Sequence, residues 1–83
     1  MKINQLRKKI DCVDKIIIQS LKTRMELVLK MGKIKKKNNL PILNKSREKQ
    51  VLDKTTKLKY CSEIKNIFKA IIKESRNLQK EMK

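Results

Sequence analysis

The sequence predicts an all-α fold of three helices, one long, one short and one medium, paired as a homodimer. Three observations carry this. Leu, Ile, Val and Met recur at intervals of three or four residues over long stretches. One Gly and one Pro leave little material for β-turns. The first amphipathic segment is also longer than an 83-residue chain can cover by itself.

The long helix is expected from about Lys2 to Lys37. Its apolar positions are Ile3, Leu6, Ile10, Val13, Ile17, Leu21, Leu27, Met31 and Ile34, mostly spaced for one helical stripe. About 35 residues at 1.5 Å rise extend roughly 50 Å, whereas a globule of this chain length is about 30 Å across. The protruding stripe calls for a partner chain. Asn38, Asn39 and Pro41 break the pattern and make 38–43 a loop. Asn44 or Ser46 can cap a short second helix that carries Val51 and Leu52 and ends near Thr55–Thr56. After a polar turn over 57–62, the third helix carries Ile64, Ile67, Phe68, Ile71, Ile72, Leu78 and Met82. No linker divides the chain, so residues 1–83 read as a single domain, with no attached catalytic or effector domain expected.

Composition narrows the function. With 24 Lys+Arg against 8 Asp+Glu the formal charge is +16, which invites a nucleic-acid reading. Against it, 20 of those cations are Lys, which suits solvated helix faces, and Tyr60 and Phe68 alone cannot form a stacking platform. No apolar run approaches the ~18 residues of a membrane span, and no signal peptide is evident. Cys12 and Cys61 make no disulfide framework and read as small packed hydrophobes. There is no His and no CxxC pair, so zinc and redox centres are not expected. A cytoplasmic protein is the expectation.

The informative positions are polar residues that interrupt apolar stripes. In the long helix, the stripe through Val13 and Ile17 meets Ser20 and Arg24 before it resumes at Leu27 and Met31. Lys35 follows Arg24 on nearly the same face, ~16 Å further along. In the third helix the stripe runs into Ser75 and Gln79, and in the second Asn44, Arg47 and Glu48 share a face with Val51. Each alone has an ordinary explanation. Arg24 could be a snorkelling or ion-paired residue, Ser75 a small filler, and Gln79 a frayed end. Glu48 could pair with Arg47 at the surface, and Lys35 could be solvated. All three helices showing the same anomaly is harder to explain that way.

Arginine usage sharpens the point. In a chain so rich in Lys, the four arginines are Arg7, Arg24, Arg47 and Arg76. Guanidinium matches a carboxylate with two parallel hydrogen bonds, which ammonium cannot do. Arg76 reads as incidental. Arg7 and Arg24 lie ~25 Å apart on one helix and point about 100° apart. They can meet one small anion only if one comes from another subunit, as in an antiparallel pairing of two long helices. Two equivalent cationic pockets would result.

The ordered segments resemble the all-helical, AroQ-type chorismate mutases. They are Leu6-Arg7-x-x-Ile10-Asp11-x-x-Asp14, Arg24, Gly32-Lys33-x-Lys35, Pro41-Ile42, Arg47-Glu48-x-x-Val51-Leu52 and Ile67-Phe68-x-x-Ile71-Ile72-x-x-Ser75-x-x-x-Gln79. The resemblance implies an intertwined helical homodimer that rearranges chorismate to prephenate, on the shikimate-derived route to phenylalanine and tyrosine. This [3,3] shift uses no cofactor and no covalent intermediate; it needs the dianion held in its folded conformer and charge stabilised on the breaking ether oxygen. By the family pattern Arg7 of the partner and Arg24 hold carboxylates, and Lys35 and Gln79 address the ether oxygen. Glu48, with the backbone near Asn44, receives the substrate hydroxyl, while Arg47 and Ser75 complete the ring-side contacts. Asp11 and Asp14 are expected to be structural. Two departures stand out: Asn44 replaces an Asp common in the family, which predicts reduced rather than absent function, and the link between Arg47 and Ser75 is short.

Other readings make separable predictions. An isochorismate pyruvate-lyase of the same fold would release pyruvate and salicylate. A small basic helical nucleic-acid binder would show steeply salt-dependent affinity. It gives no reason for Ser75 and Gln79 to interrupt an apolar stripe, and a purely structural dimerisation module gives none either.

Overall fold

Three helices follow one another in the computed structural model, which describes residues 2–82: α1 (Ile3–Lys37), α2 (Lys45–Asp53) and α3 (Cys61–Lys80). The all-α architecture expected from the periodicity is the one observed. α1 begins where the Lys2 N–H donates to Gln5 Oε1 at 3.4 Å, satisfying one orphan group of the first turn. It ends in Lys35, Lys36 and Lys37, whose charge suits the negative end of the helix dipole. Asn39 then turns left-handed (φ 55°), a conformation Asn tolerates well. Leu40 N–H closes back on Lys35 O at 2.7 Å.

Of the two candidate caps for α2, Asn44 is the one used: its Oδ1 accepts from the Arg47 N–H at 3.0 Å, and Ser46 lies inside the helix. The helix stops at Asp53, earlier than the Thr55–Thr56 terminus expected. The Thr55 and Thr56 hydroxyls donate to the carbonyls of Leu52 and Asp53 at 2.7 and 2.8 Å, satisfying acceptors that another helical turn would have taken. α3 starts at Cys61, just inside the expected polar turn. Tyr60 precedes it in the left-handed region (φ 61°), costly for a bulky residue, and no side chain caps the helix.

α3 lies parallel to the C-terminal half of α1. Ser75 meets Arg24, Gln79 meets Val28, and Met82 with Gln79 meets Gly32, so the two helices run in the same direction. A Cβ at Gly32 would stand 2.6 Å from Met82 Sδ and 3.1 Å from Gln79 Cγ, so the glycine permits this close approach. The face of α1 that α3 covers carries Leu21, Met25, Val28, Leu29 and Gly32. Of the stripe singled out in the sequence only Leu21 lies on that face; Leu27, Met31 and Ile34 are 52–57% exposed in the single chain. The reason is geometric, because 20 residues of α3 cannot surround 35 residues of α1.

The molecule measures 54 × 26 × 14 Å, with a radius of gyration of 15.9 Å. A compact chain of this length would have about 12 Å. Ile72 is the one buried large hydrophobe among the described residues, while Leu6, Ile10, Val13 and Ile17 are 45–57% exposed. Cys12, expected to be packed, is exposed on the same uncovered half of α1.

A cationic cleft between the three helices

A cleft of about 630 Å³ opens between the C-terminal half of α1, α2 and α3, a volume suited to a small organic ligand. Of the eight residues singled out in the sequence, seven line it: Arg24, Lys35, Asn44, Arg47, Glu48, Ser75 and Gln79. Arg7 does not, because it sits on the uncovered half of α1, 17 residues (~25 Å) before Arg24.

The helices deliver these groups for simple reasons. On α3 the cleft takes Ile72, Ser75, Arg76 and Gln79, the i, i+3, i+4, i+7 set of one helical face. Ser75 and Gln79 are buried, so Gln79 belongs to the packed helix and not to a frayed end. From α1 come Arg24 and Lys35, with Leu27, Val28 and Met31 between them as the apolar floor. The Asn44 cap fixes the start of α2 and brings Glu48 in its first turn to the cleft, half-buried, where a carboxylate suits the positive end of the dipole. Asn44 and Arg47 are more exposed than a buried face would make them.

Hydrogen bonds orient the polar groups. Arg24 Nη1 donates to Ser75 Oγ at 2.6 Å, and Ser75 Oγ donates in turn to Ile71 O at 2.7 Å. The serine therefore aims the guanidinium. Lys35 Nζ donates to Ile42 O at 2.9 Å, which leaves two of its three N–H groups for a ligand. Gln79 Nε2 donates to Val28 O at 2.9 Å and keeps its second N–H. Arg47 Nη1 reaches Gln50 Oε1 at 3.4 Å. The Oδ1 of Asn44 spends one lone pair on its cap, while its amide N–H groups make no hydrogen bond among the described residues.

Four cations, Arg24, Lys35, Arg47 and Arg76, line the cleft against one carboxylate, Glu48. Burial, and secondarily the charge of Arg47, hold the Arg24 guanidinium below its ordinary pKa. It remains protonated at any physiological pH, so the cleft lining carries net positive charge. A dianion would relieve it.

Arg76 is the residue that sequence reasoning missed. Its Nε lies 3.4 Å from Glu48 Oε2, so the carboxylate pairs with α3 and not with its neighbour Arg47. The scarcity of arginine in the chain, and the i+4 step from Ile72, were signals that could have found it. The groups can together fix a small dianion by charge and present hydrogen-bond donors to a third oxygen, in a cleft with an apolar floor.

Comparison with known proteins bears on what that anion is. Residues 6–80 match the family described as chorismate mutase type II. The chain is 33% identical over 89 residues to a bifunctional chorismate mutase/prephenate dehydratase of Aquifex aeolicus, covering 98% of this chain and 25% of that protein. It thus spans about a quarter of that longer relative. It is 32% identical over 87 residues to a chorismate mutase of Methanocaldococcus jannaschii, covering 96% of this chain and 86% of the other. A solved structure of a conserved hypothetical protein from Pyrococcus furiosus superposes with a TM-score of 0.82 at 40% identity, over 93% of each chain. The match spans all three helices and every residue that lines the cleft, and on it the chain belongs to the chorismate mutase type II family.

Proposed function

We propose that residues 1–83 act as one domain, in a homodimer in the cytoplasm, that rearranges chorismate to prephenate. The observation that carries this reading is the convergence of Arg24, Lys35 and Gln79, from two helices, on one cleft where cations outnumber carboxylates. Family membership supports it, as do the names of the relatives. No helix among the described residues is long and apolar enough to cross a membrane.

The reaction is intramolecular: a C–O bond breaks and a C–C bond forms within one molecule, so catalysis consists of holding and stabilising. Arg24 binds one carboxylate, aimed by Ser75. Arg7 of a second copy supplies the opposing guanidinium, and Arg47 adds charge at the ring side. Clamping both carboxylates selects the folded conformer and removes the entropy of finding it. Lys35 and the free N–H of Gln79 then stabilise charge growing on the ether oxygen. Glu48 accepts the substrate hydroxyl. No cofactor takes part in this scheme.

The uncovered half of α1 supports the dimer. Leu6, Ile10, Val13 and Ile17 form a stripe that a second α1 would cover, and the same pairing would carry Arg7 to the other chain's cleft.

The test is direct. Purified protein added to chorismate should accelerate the loss of its absorbance and yield prephenate. A folded dimer that gives no acceleration over buffer sinks the proposal, and release of pyruvate and salicylate would mark a lyase instead.

A further inference from the structure

Arg76 and Glu48 form the one ion pair among the described residues, in a chain of 24 cations and 8 carboxylates. The pair joins α3 to α2 across the wall of the cleft. Arg76 Nε is buried and makes no hydrogen bond of its own, so the carboxylate 3.4 Å away is what faces it. Glu48 Oε1 accepts no hydrogen bond among the described residues.

A lone carboxylate among Arg24, Arg47 and Lys35 has an obvious failure mode. It can swing toward one of them and neutralise the charge a dianion needs. Arg76 attracts Glu48 from α3, through Oε2, and leaves Oε1 without a hydrogen-bond partner among the described residues. The side chains are 36% and 25% exposed, so the pair contributes little to folding and its effect falls on placement.

We propose that Arg76 is a positioning residue for the rearrangement: it holds Glu48 by one oxygen, so that the other receives the substrate hydroxyl while Arg24 and Arg47 stay free for carboxylates. This rests on the mutase reading, which gives Glu48 that role.

A double-mutant cycle on the full chain tests it, with chorismate as substrate. Arg76→Met keeps the aliphatic stem and removes the charge; it should lower kcat/KM about tenfold with the melting temperature within a few degrees of wild type. Arg76→Lys should recover a large part of the loss, because a point charge can still attract the carboxylate. In a Glu48→Gln background Arg76→Met should change kcat/KM by less than about twofold, since no carboxylate remains to hold. An equal loss in both backgrounds would mean that Arg76 acts on substrate directly, and overturns the inference. No loss in either background overturns it as well. Should Arg76→Met not fold, Arg76→Gln replaces it in the same cycle. A wild-type chain inactive on chorismate overturns the mutase reading itself, whereas an active one with additive effects overturns only the role of Arg76.

Discussion

If Arg7 completes the cleft of a second chain, two crippled proteins should repair each other. Arg7 and Arg24 are 17 positions apart on one continuous helix, ~25 Å, and no bend brings them together. Replacing either by Ala removes a charge-assisted contact to a carboxylate and leaves that carboxylate uncompensated, about 3 kcal/mol or roughly a hundredfold in kcat/KM. Each variant alone should therefore be nearly inactive. When equal amounts are unfolded together and refolded, random reassortment makes about half the dimers mixed. In a mixed dimer, one cleft holds both native arginines and the other lacks both. The mixture should then recover about a quarter of the wild-type rate per chain, followed by the loss of chorismate absorbance. Activity that stays at the average of the two parents would refute the shared site. So would an Arg7→Ala protein with unimpaired kcat/KM.

Two further substitutions probe the cleft at single atoms. Asn44 spends its Oδ1 on the cap and presents an amide donor, so Asn44→Asp should keep the cap and add an acceptor for the substrate hydroxyl. An increase of several-fold in kcat/KM with an unchanged melting temperature is expected, and a decrease would place the hydroxyl elsewhere. Gly32→Ala puts a Cβ 3.1 Å from Gln79 Cγ; Met82 can swing away, but Gln79 must shift by tenths of an ångström. The gain of about 1 kcal/mol in helix propensity offsets the crowding, so stability should hardly move. A loss of about three- to tenfold in kcat is expected from the displaced donor, and wild-type kcat would show that Gln79 is not at the reacting centre.

The number and order of the helices were legible because their signals are local: a long stripe in α1, Asn44 at a cap, Pro41 in a loop. The boundaries were legible only where a side chain marks them. α3 begins after a left-handed Tyr60 with no capping side chain, so nothing in the local pattern announces Cys61. The early end of α2 depends on two threonine hydroxyls choosing backbone carbonyls, which propensity alone does not settle. The cleft was legible for a different reason. A buried polar residue in an apolar stripe has to be satisfied, so Ser75 and Gln79 stood out before any neighbour was known. Arg76 escaped because its partner, Glu48, is 28 positions away on another helix, and no periodicity connects them.

Most of the apolar stripe read in α1 lies outside the reach of α3, and this bears on how stability and catalysis are connected. α3 occupies the face with Met25, Val28 and Gly32, which leaves Leu27 and Met31 for the cleft floor and Leu6, Ile10, Val13 and Ile17 without a neighbour. A chain in which Ile72 is the one buried hydrophobe among the described residues has little with which to offset the entropy of ordering 35 helical residues. Its formal charge of +16 adds self-repulsion. Under the proposed pairing, a second α1 supplies the missing apolar contact and the missing arginine from the same helix. Under that pairing the helix would be long for two reasons at once: to reach a partner that stabilises it, and to carry Arg7 far enough to meet the other chain's Arg24. A chain shortened to a self-sufficient globule would lose both.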